Sequence, residues 1–215
     1  MDSGVSRTST GSRPGAPPRA KRFHHGSLRQ ALTDAALALP DIEGLSLNQL
    51  AAGVGVTPAA VYRHFASREE LLGEVARIGF DRLTARFAAV FDIESPPASP
   101  SAARSRLEGL AHAYLGFADH EPALWRLMFG SQAAAYRAMA HPLGRRNSYD
   151  YLPAALHGLH RCGVVARDPD ERDALFAWSA IHGAAMLRAG QVPAAPGPVP
   201  DVARDVADRV VRSLG

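Results

Sequence analysis

The sequence predicts an all-α protein: a small three-helix head, one long connecting helix and a larger helical bundle. Three observations lead there. Apolar residues make up 47% of the 215 residues and recur at three- and four-residue spacing over long stretches. Aromatic residues are only 7%, and no run of alternating β-branched residues suggests a strand. Segments rich in Pro, Gly and Ser, such as Ser95-Pro96-Pro97-Ala98-Ser99-Pro100, divide the helical stretches from one another.

The length suffices for a sizeable core and suits one or two domains. The net charge of +3 is uneven. Residues 1–25 hold five basic residues (Arg7, Arg13, Arg19, Lys21, Arg22) against one acid, Asp2, while the remainder carries 19 basic and 20 acidic residues. The positive charge is therefore confined to an N-terminal arm, residues 1–21, whose Ser, Gly, Pro and Arg content predicts disorder in isolation. Such an arm suits a polyanion, with Lys21 and Arg22 the favoured contacts; a solvated tail without a role is the alternative. Cys162 is the single cysteine, so no intramolecular disulfide forms. The apolar runs are too short for a bilayer and the first residues lack a signal-peptide core, so a cytoplasmic protein without membrane partners is expected.

In the first helix Leu28, Ala31, Leu32, Ala35 and Leu39 form the buried stripe behind Ser27, the expected N-cap, and Pro40 ends it. Ser46 is the expected cap of the second. Leu47, Leu50, Ala51 and Val54 then fall at i, i+3, i+4 and i+7, one face of a helix. Gly55 stands where a helix end wants a left-handed residue. Thr57 and Pro58 supply a capping hydroxyl and a first-turn proline, and Val61 and Phe65 give the next helix its buried side. This is the spacing of a helix-turn-helix. Ala59, Ala60, Tyr62, Arg63 and His64 are left on or beside its open side. Small residues there allow close approach to a DNA groove, Arg63 can fork onto guanine or grip a phosphate, and Tyr62 and His64 suit phosphate oxygens. A plain structural corner is the bland alternative.

Ser67 and Glu70 make a capping box for the fourth helix, with Arg68 at its exposed start. Leu71, Val75, Ile78, Leu83, Phe87 and Phe91 carry its stripe. A helix over 67–91 would be about 37 Å long at 1.5 Å per residue, enough to connect a head of residues 22–66 to a second domain within residues 67–215. Beyond it, Leu107 to Phe117 and Leu124 to Phe129 lie on two helices that restart at Glu121-Pro122. Residues 132–162 are read as helical with breaks near His141-Pro142 and Pro153. A helix over about 170–189 carries Trp178, Ile181, Ala185 and Met186, and Val202, Val206, Val210, Val211 and Leu214 line the last.

The stretch GVGVTPAAVYRHFASREELL resembles the helix-turn-helix signature of the TetR (tetracycline-repressor-like) family, matching at Gly55, Val56, Thr57, Tyr62, His64, Phe65, Ser67, Glu70 and Leu71. HHGSLRQAL and YLGFADHEPALWRLMFG resemble segments of one TetR subgroup, and Trp178 with His182-Gly183 resembles its Trp-x-x-x-His-Gly signature. The connection after the first helix is about three residues shorter than the family's usual one. The resemblance implies a homodimeric, ligand-responsive regulator, a repressor, that binds a palindromic double-stranded operator. The DNA-binding set is Lys21, Arg22, Arg29, Leu47, Thr57, Pro58, Ala59, Ala60, Tyr62, Arg63, His64 and Arg68, with Arg29 placed near phosphate by the resemblance. The last two helices are implied to pair with their twins, through Trp178, Ile181, Ala185, Val206 and Val210; packing within one chain is the alternative. An effector of unknown identity is implied in the second domain. The aromatic and Met cluster of Phe117, Trp125, Met128, Phe129, Tyr136, Tyr149, Trp178 and Met186 could line its pocket, with Tyr114, Ser179 and His182 as polar handles. Ordinary core is the alternative for each.

His157, His160 and Cys162 read H-x-x-H-x-C near a helix end, so a metal-responsive regulator with the same head is the competing reading. No fourth ligand is apparent, and no metal or other cofactor is expected. His24-His25 likewise lacks partner ligands at usable spacing. An enzyme is not expected: there is no phosphate loop, G-x-S-x-G elbow, H-E-x-x-H helix or convincing carboxylate pair.

Overall fold

The computed structural model describes residues 25–130, 133, 136, 147–190 and 201–215. Among them the regular structure is entirely helical: α1 (His25–Leu37), α2 (Leu47–Val54), α3 (Pro58–Tyr62), α4 (Arg68–Val90), α5 (Pro100–His120), α6 (Pro122–Phe129), α7 (Ser148–Arg161), α8 (Glu171–Ala189) and α9 (Val202–Ser213). The N-terminal arm with Lys21 and Arg22, the expected break near His141-Pro142 and the Pro-rich connection before α9 lie outside the described residues.

α1 starts at His25, so the expected cap Ser27 falls inside the first turn instead of before it. Leu28, Leu32 and Ala36 are its buried side, against α2 and α4. The short connection to α2 does not disturb this packing. Ile42 and Leu45 are buried beneath it, and Asp41 closes a local turn by accepting the Gly44 N–H at 3.0 Å. Ser46 occupies the α2 N-cap position in extended backbone, but its side chain makes no capping bond.

α2 ends at Gly55, which adopts φ 78°, ψ 36° while its N–H reaches the carbonyls of Ala51 and Ala52. A side chain at that φ would bring Cβ against the following carbonyl oxygen, which is why glycine stands there. Thr57 then accepts the Ala60 N–H and α3 begins with Pro58. Val61 and Phe65 are fully buried against the head core. Ser67 accepts the Glu70 N–H at 3.2 Å, while the Glu70 carboxylate takes the Ala66 N–H at 2.7 Å, one residue before the position expected for a capping box.

One continuous apolar core runs from Leu32, Val61 and Phe65 through Leu71, Phe80 and Leu83 of α4 into Phe117, Trp125 and Leu127. A second cluster joins Leu107, Leu156, Leu159, Ala177, Ala207 and Val210, where α5, α7, α8 and α9 meet. Pro153 does not break α7, contrary to the sequence expectation. It removes only the amide that would bond the Tyr149 carbonyl, while Tyr151, Ala155, Leu156 and Leu159 are buried along the helix; burial outweighs that one bond. Asn147 and Asp150 cap α7, and Gly163 at φ 67° turns the chain away from its end. Asp170 and Asp173 form the capping box of α8, whose Asp173 carboxyl is held down at about 2, chiefly by the Arg167 guanidinium.

Candidate functional site

Thr57, Pro58, Ala59, Tyr62 and Arg63 are all exposed and share the side of α3 turned away from Val61 and Phe65. Ala60 and His64 are half-buried at its border. Tyr62 is 54% exposed, a large aromatic ring kept in solvent by the face it occupies. Asn48 and Gln49, outside the expected set, are also exposed, in the first turn of α2; they are the polar complement of its apolar stripe and could have been read from it.

One residue of the DNA-binding set is corrected, and two others have partners within the head. Leu47 is 7% exposed, and its side chain belongs to the head core, as its place in the stripe requires. Arg29, with its side chain 42% exposed, has contacts within the head: Nη1 donates to the His64 carbonyl, the guanidinium lies 4.1 Å from the centre of the Phe65 ring, and Glu70 pairs with it at 3.6 Å. Arg68 clamps the α1–α2 connection, donating from Nε to the Leu45 carbonyl at 2.9 Å and from Nη2 to the Glu43 carbonyl. A charged fork satisfying two carbonyls of a short connection is an internal brace. The far side of the same connection meets α6. Arg126 donates to the Pro40 carbonyl at 3.3 Å, and Gly130 lies so close that a Cβ there would be 2.9 Å from Glu43 Oε1.

The second site is a cavity of about 320 Å³ between the two core clusters. Leu83 and Phe87 of α4, Leu110, Ala111 and Tyr114 of α5, and Phe129 of α6 form one wall. Leu152, Pro153, Ala174, Ala177, Trp178 and Ile181 form much of the other, closed by Val206, Ala207 and Val210 of α9. Tyr149 and Leu175 line it and are also exposed, so it reaches solvent between the first turns of α7 and α8.

Behind the wall sits an aromatic group. Tyr114 Oη lies 2.7 Å from His182 Nδ1. The imidazole has the rings of Trp178, Trp125 and Phe129 at 5.1, 5.3 and 5.3 Å between centres. Burial pushes the Tyr114 phenol well above its ordinary value, so the hydroxyl keeps its proton and can donate to an unprotonated Nδ1. Trp125 Nε1 is buried without a hydrogen bond of ordinary geometry among the described residues, and its indole, with that of Trp178, works against the rise in the Tyr114 phenol.

Of the expected pocket residues, Tyr114, Phe129, Tyr149 and Trp178 line the cavity. His182 stands behind Tyr114, and Phe117, Trp125, Met128 and Tyr136 are core. Ser179 and Met186 are corrected: both are exposed on the outer side of α8, with the Ser179 hydroxyl turned back to the Leu175 carbonyl at 2.7 Å. The interface candidates are also redistributed. Ile181, Ala185 and Val210 are buried within this chain, and Trp178 and Val206 are half-buried. The apolar side chains left open on α8 are Leu175, Phe176, Met186 and Leu187, each at least half exposed. Apolar residues occur on both sides of α8, so their period could not say which side faces inward.

The H-x-x-H-x-C residues do not converge. His157 Nδ1 pairs with Asp168 at 2.6 Å, His160 faces the Val165 carbonyl at 3.4 Å, and Cys162 reaches the Pro97 carbonyl at 3.6 Å. Among the described residues the donors that do gather, within 4.8 Å, are Glu108, His112 and Asp201; there Arg204 already sits 3.0 Å from Glu108 Oε1.

Comparison with known proteins follows these two sites. Residues 107–214 match the family model described as a tetracyclin repressor-like C-terminal domain, and residues 32–75 match that of bacterial regulatory proteins of the tetR family. A solved structure of a protein with unknown function from Rhodococcus sp. RHA1 is 34% identical, with TM-score 0.69, covering 89% of this chain and 97% of that one. The TetR family transcriptional regulator PfmR from Thermus thermophilus shares the fold at TM-score 0.53 and 22% identity, covering 85% of this chain and 97% of its own. Nucleoid occlusion factor SlmA of Pectobacterium carotovorum is 31% identical over 110 residues, 51% of this chain and 52% of SlmA, so the match spans about half the length of that relative.

Proposed function

Because the chain belongs to the tetracycline-repressor-like family of bacterial regulatory proteins, we propose that it is a homodimeric repressor that leaves a palindromic operator when a small molecule enters its second domain. The observation that carries the DNA half is the exposed edge from Thr57 to Arg63, held outward by the buried Val61 and Phe65. One such helix reads too few bases for a unique site; two, held by a two-fold axis, read half-sites about 34–36 Å apart. We assign residues 22–66 to the head, 67–215 to the effector and dimer domain, with 67–91 bridging them, and residues 1–21 to an arm that follows the phosphates. Arg63 contacts a base or phosphate, and Thr57, Pro58, Ala59, Ala60, Tyr62 and His64 pack along the groove. The likeness of Trp178, His182 and Gly183 to a Trp-His-Gly signature supports assigning the chain to the subgroup that carries it.

The exposed apolar row of α8, Leu175, Phe176, Met186 and Leu187, supplies the self-complementary surface that a two-fold dimer needs. The cavity supplies the effector site. Its route to the head is short: Phe129, in the cavity wall, is adjacent to Gly130 and three residues from Arg126, both of which touch the α1–α2 connection. A ligand that prefers the displaced arrangement lowers operator affinity by its difference in affinity for the two states. No helix among the described residues is long and apolar enough to cross a membrane.

The test is selection from random duplex oligonucleotides, followed by footprinting at physiological salt. A protected near-palindrome with two half-sites is expected, lost with Arg63→Ala. Selection that returns no sequence preference, with the arm intact, would overturn the reading.

A further inference from the structure

We infer that the cavity takes an uncharged, largely apolar ligand carrying at most one neutral hydrogen-bonding group. The inference rests on the effector-responsive reading above and names the chemical class it would respond to.

The walls decide this. Among the described lining residues the side-chain polar groups are the hydroxyls of Tyr114, Ser148 and Tyr149 and the indole of Trp178; none is charged. None of the charged residues of the same helices is in the described lining, and several are held by partners. Arg204 holds Glu108 at 3.0 Å, Arg209 holds Asp205 at 2.8 Å, and Arg167 holds Asp173 through both terminal nitrogens. Arg106 donates to the Ser95 carbonyl at 2.7 Å and lies over the Phe91 ring. A carboxylate or ammonium drawn into this space would lose its water and meet no opposite charge among the described lining residues, and would bind in its neutral form or not at all.

The polar end of the ligand meets the hydroxyls of the described wall: Ser148 and Tyr149 on α7, and Tyr114, whose oxygen already faces His182 and the indoles of Trp125 and Trp178. Elsewhere Leu83, Phe87, Leu110, Ile181 and Val210 offer carbon alone. The volume, about 320 Å³, is at the low end of small-molecule sites, roughly 300–1,000 Å³. Entry is between Tyr149 and Leu175, the exposed members of the lining.

The experiment uses the full chain and follows the fluorescence of its two tryptophans, Trp125 and Trp178, both beside Tyr114 and His182. The probes are 1-decanol, decanoate and decylamine, below their micelle concentrations, and borneol as an uncharged molecule of different shape. At pH 7, saturable binding of at least one uncharged probe is expected, with decanoate and decylamine at least about tenfold weaker than that probe. Lowering the pH towards the carboxyl range should bring decanoate closer to decanol. Ala177→Phe and Ala207→Leu fill the cavity from two walls, and whichever variant keeps the wild-type helical signal and cooperative melting should lose the uncharged probe.

Either ion binding at pH 7 as tightly as the uncharged probes would overturn the inference. So would the lack of saturable binding by both decanol and borneol, or undiminished binding in a folded, filled variant. Operator release is measured separately. Uncharged binding without release keeps the ligand class and removes the response; release by the ions alone keeps the response and removes the class.

Discussion

Tyr114 Oη and His182 Nδ1 lie 2.7 Å apart, joining α5 to α8 at the wall of the cavity. The bond fixes the spacing of two helices that both line the cavity, in a part of the molecule rich in aromatic and aliphatic packing.

Tyr114→Phe removes that bond and leaves the His182 nitrogen to find another partner. A loss of about 1 kcal/mol is expected, which for a domain of this size lowers Tm by about 2–4 °C. The pH dependence has a definite sign. Burial raises the folded phenol above its ordinary value of 10.0, so below pH 10 its contribution is fully present. As pH rises past 10 the unfolded chain ionises first and stability falls until the folded value is reached. Urea unfolding at pH 8 and pH 10.5 should show a smaller alkaline loss in Tyr114→Phe than in the wild type. Equal losses would mean that the phenol is accessible to hydroxide in the folded state.

Gly55→Val should cost more than about 1 kcal/mol although a Cβ there would meet nothing beyond its own chain neighbours. A Cβ at Gly55 has nothing within 4 Å, so the whole cost comes from the left-handed backbone. Gly55→Asn, which tolerates that region, should recover much of it. Chemical denaturation of the three proteins separates the two contributions; similar losses for Val and Asn would point to contacts instead of φ.

Arg63→Ala and Arg68→Ala should behave oppositely. Arg63 is exposed, so its removal should change stability by less than about 0.5 kcal/mol while weakening operator binding by about 1–3 kcal/mol if it is bidentate to guanine. Arg68 holds two carbonyls of the α1–α2 connection, so its loss should lower the unfolding midpoint as well. Melting and fluorescence anisotropy on the same preparations distinguish the roles.

Gly130→Ala tests the contact between α6 and the head. The added carbon would sit 2.5 Å from the Arg126 carbonyl, which is backbone and cannot swing aside. The end of α6 must shift, and the spacing of the heads with it. Operator affinity should fall by more than stability does, as read by anisotropy against calorimetry; an unchanged affinity would detach α6 from the head.

Phe176→Glu with Leu187→Glu places two carboxylates on the open face of α8, where both wild-type side chains are at least half exposed. Sedimentation at micromolar concentration should show a folded monomer that no longer binds the full palindrome. A dimer that survives both changes would move the interface to another face.

Much of this was legible because local rules and tertiary packing agree. Gly55, Thr57 and Pro58 are dictated by backbone geometry within a few residues, and the structure places them as that geometry requires. What the sequence withheld is direction. The spacing of Trp178, Ile181 and Ala185 puts them on one side of a helix, but α8 is apolar on its other side too, and only the packing of α5 and α9 shows which is inner. Arg29 and Arg68 look like any exposed basic residue near a DNA reader. Their carbonyl partners are 35 and 23–25 residues away, beyond what a periodicity can register. Pro153 misled for the converse reason: a local breaking rule was overruled by the apolar side chains around it.

The two sides of α8 have one further consequence. Its inner side carries Ala174, Ala177, Trp178 and Ile181 on the cavity, and its outer side carries Phe176, Met186 and Leu187 in solvent. A single helix of 19 residues cannot shift one side and leave the other in place. On the dimer and effector site proposed above, a ligand that moves α8 couples the filling of the cavity to the joining of two chains through the outer side, and each alters the other by the same factor. The apparent ligand affinity then depends on protein concentration: dilution, with no change in ligand, moves the midpoint of the response.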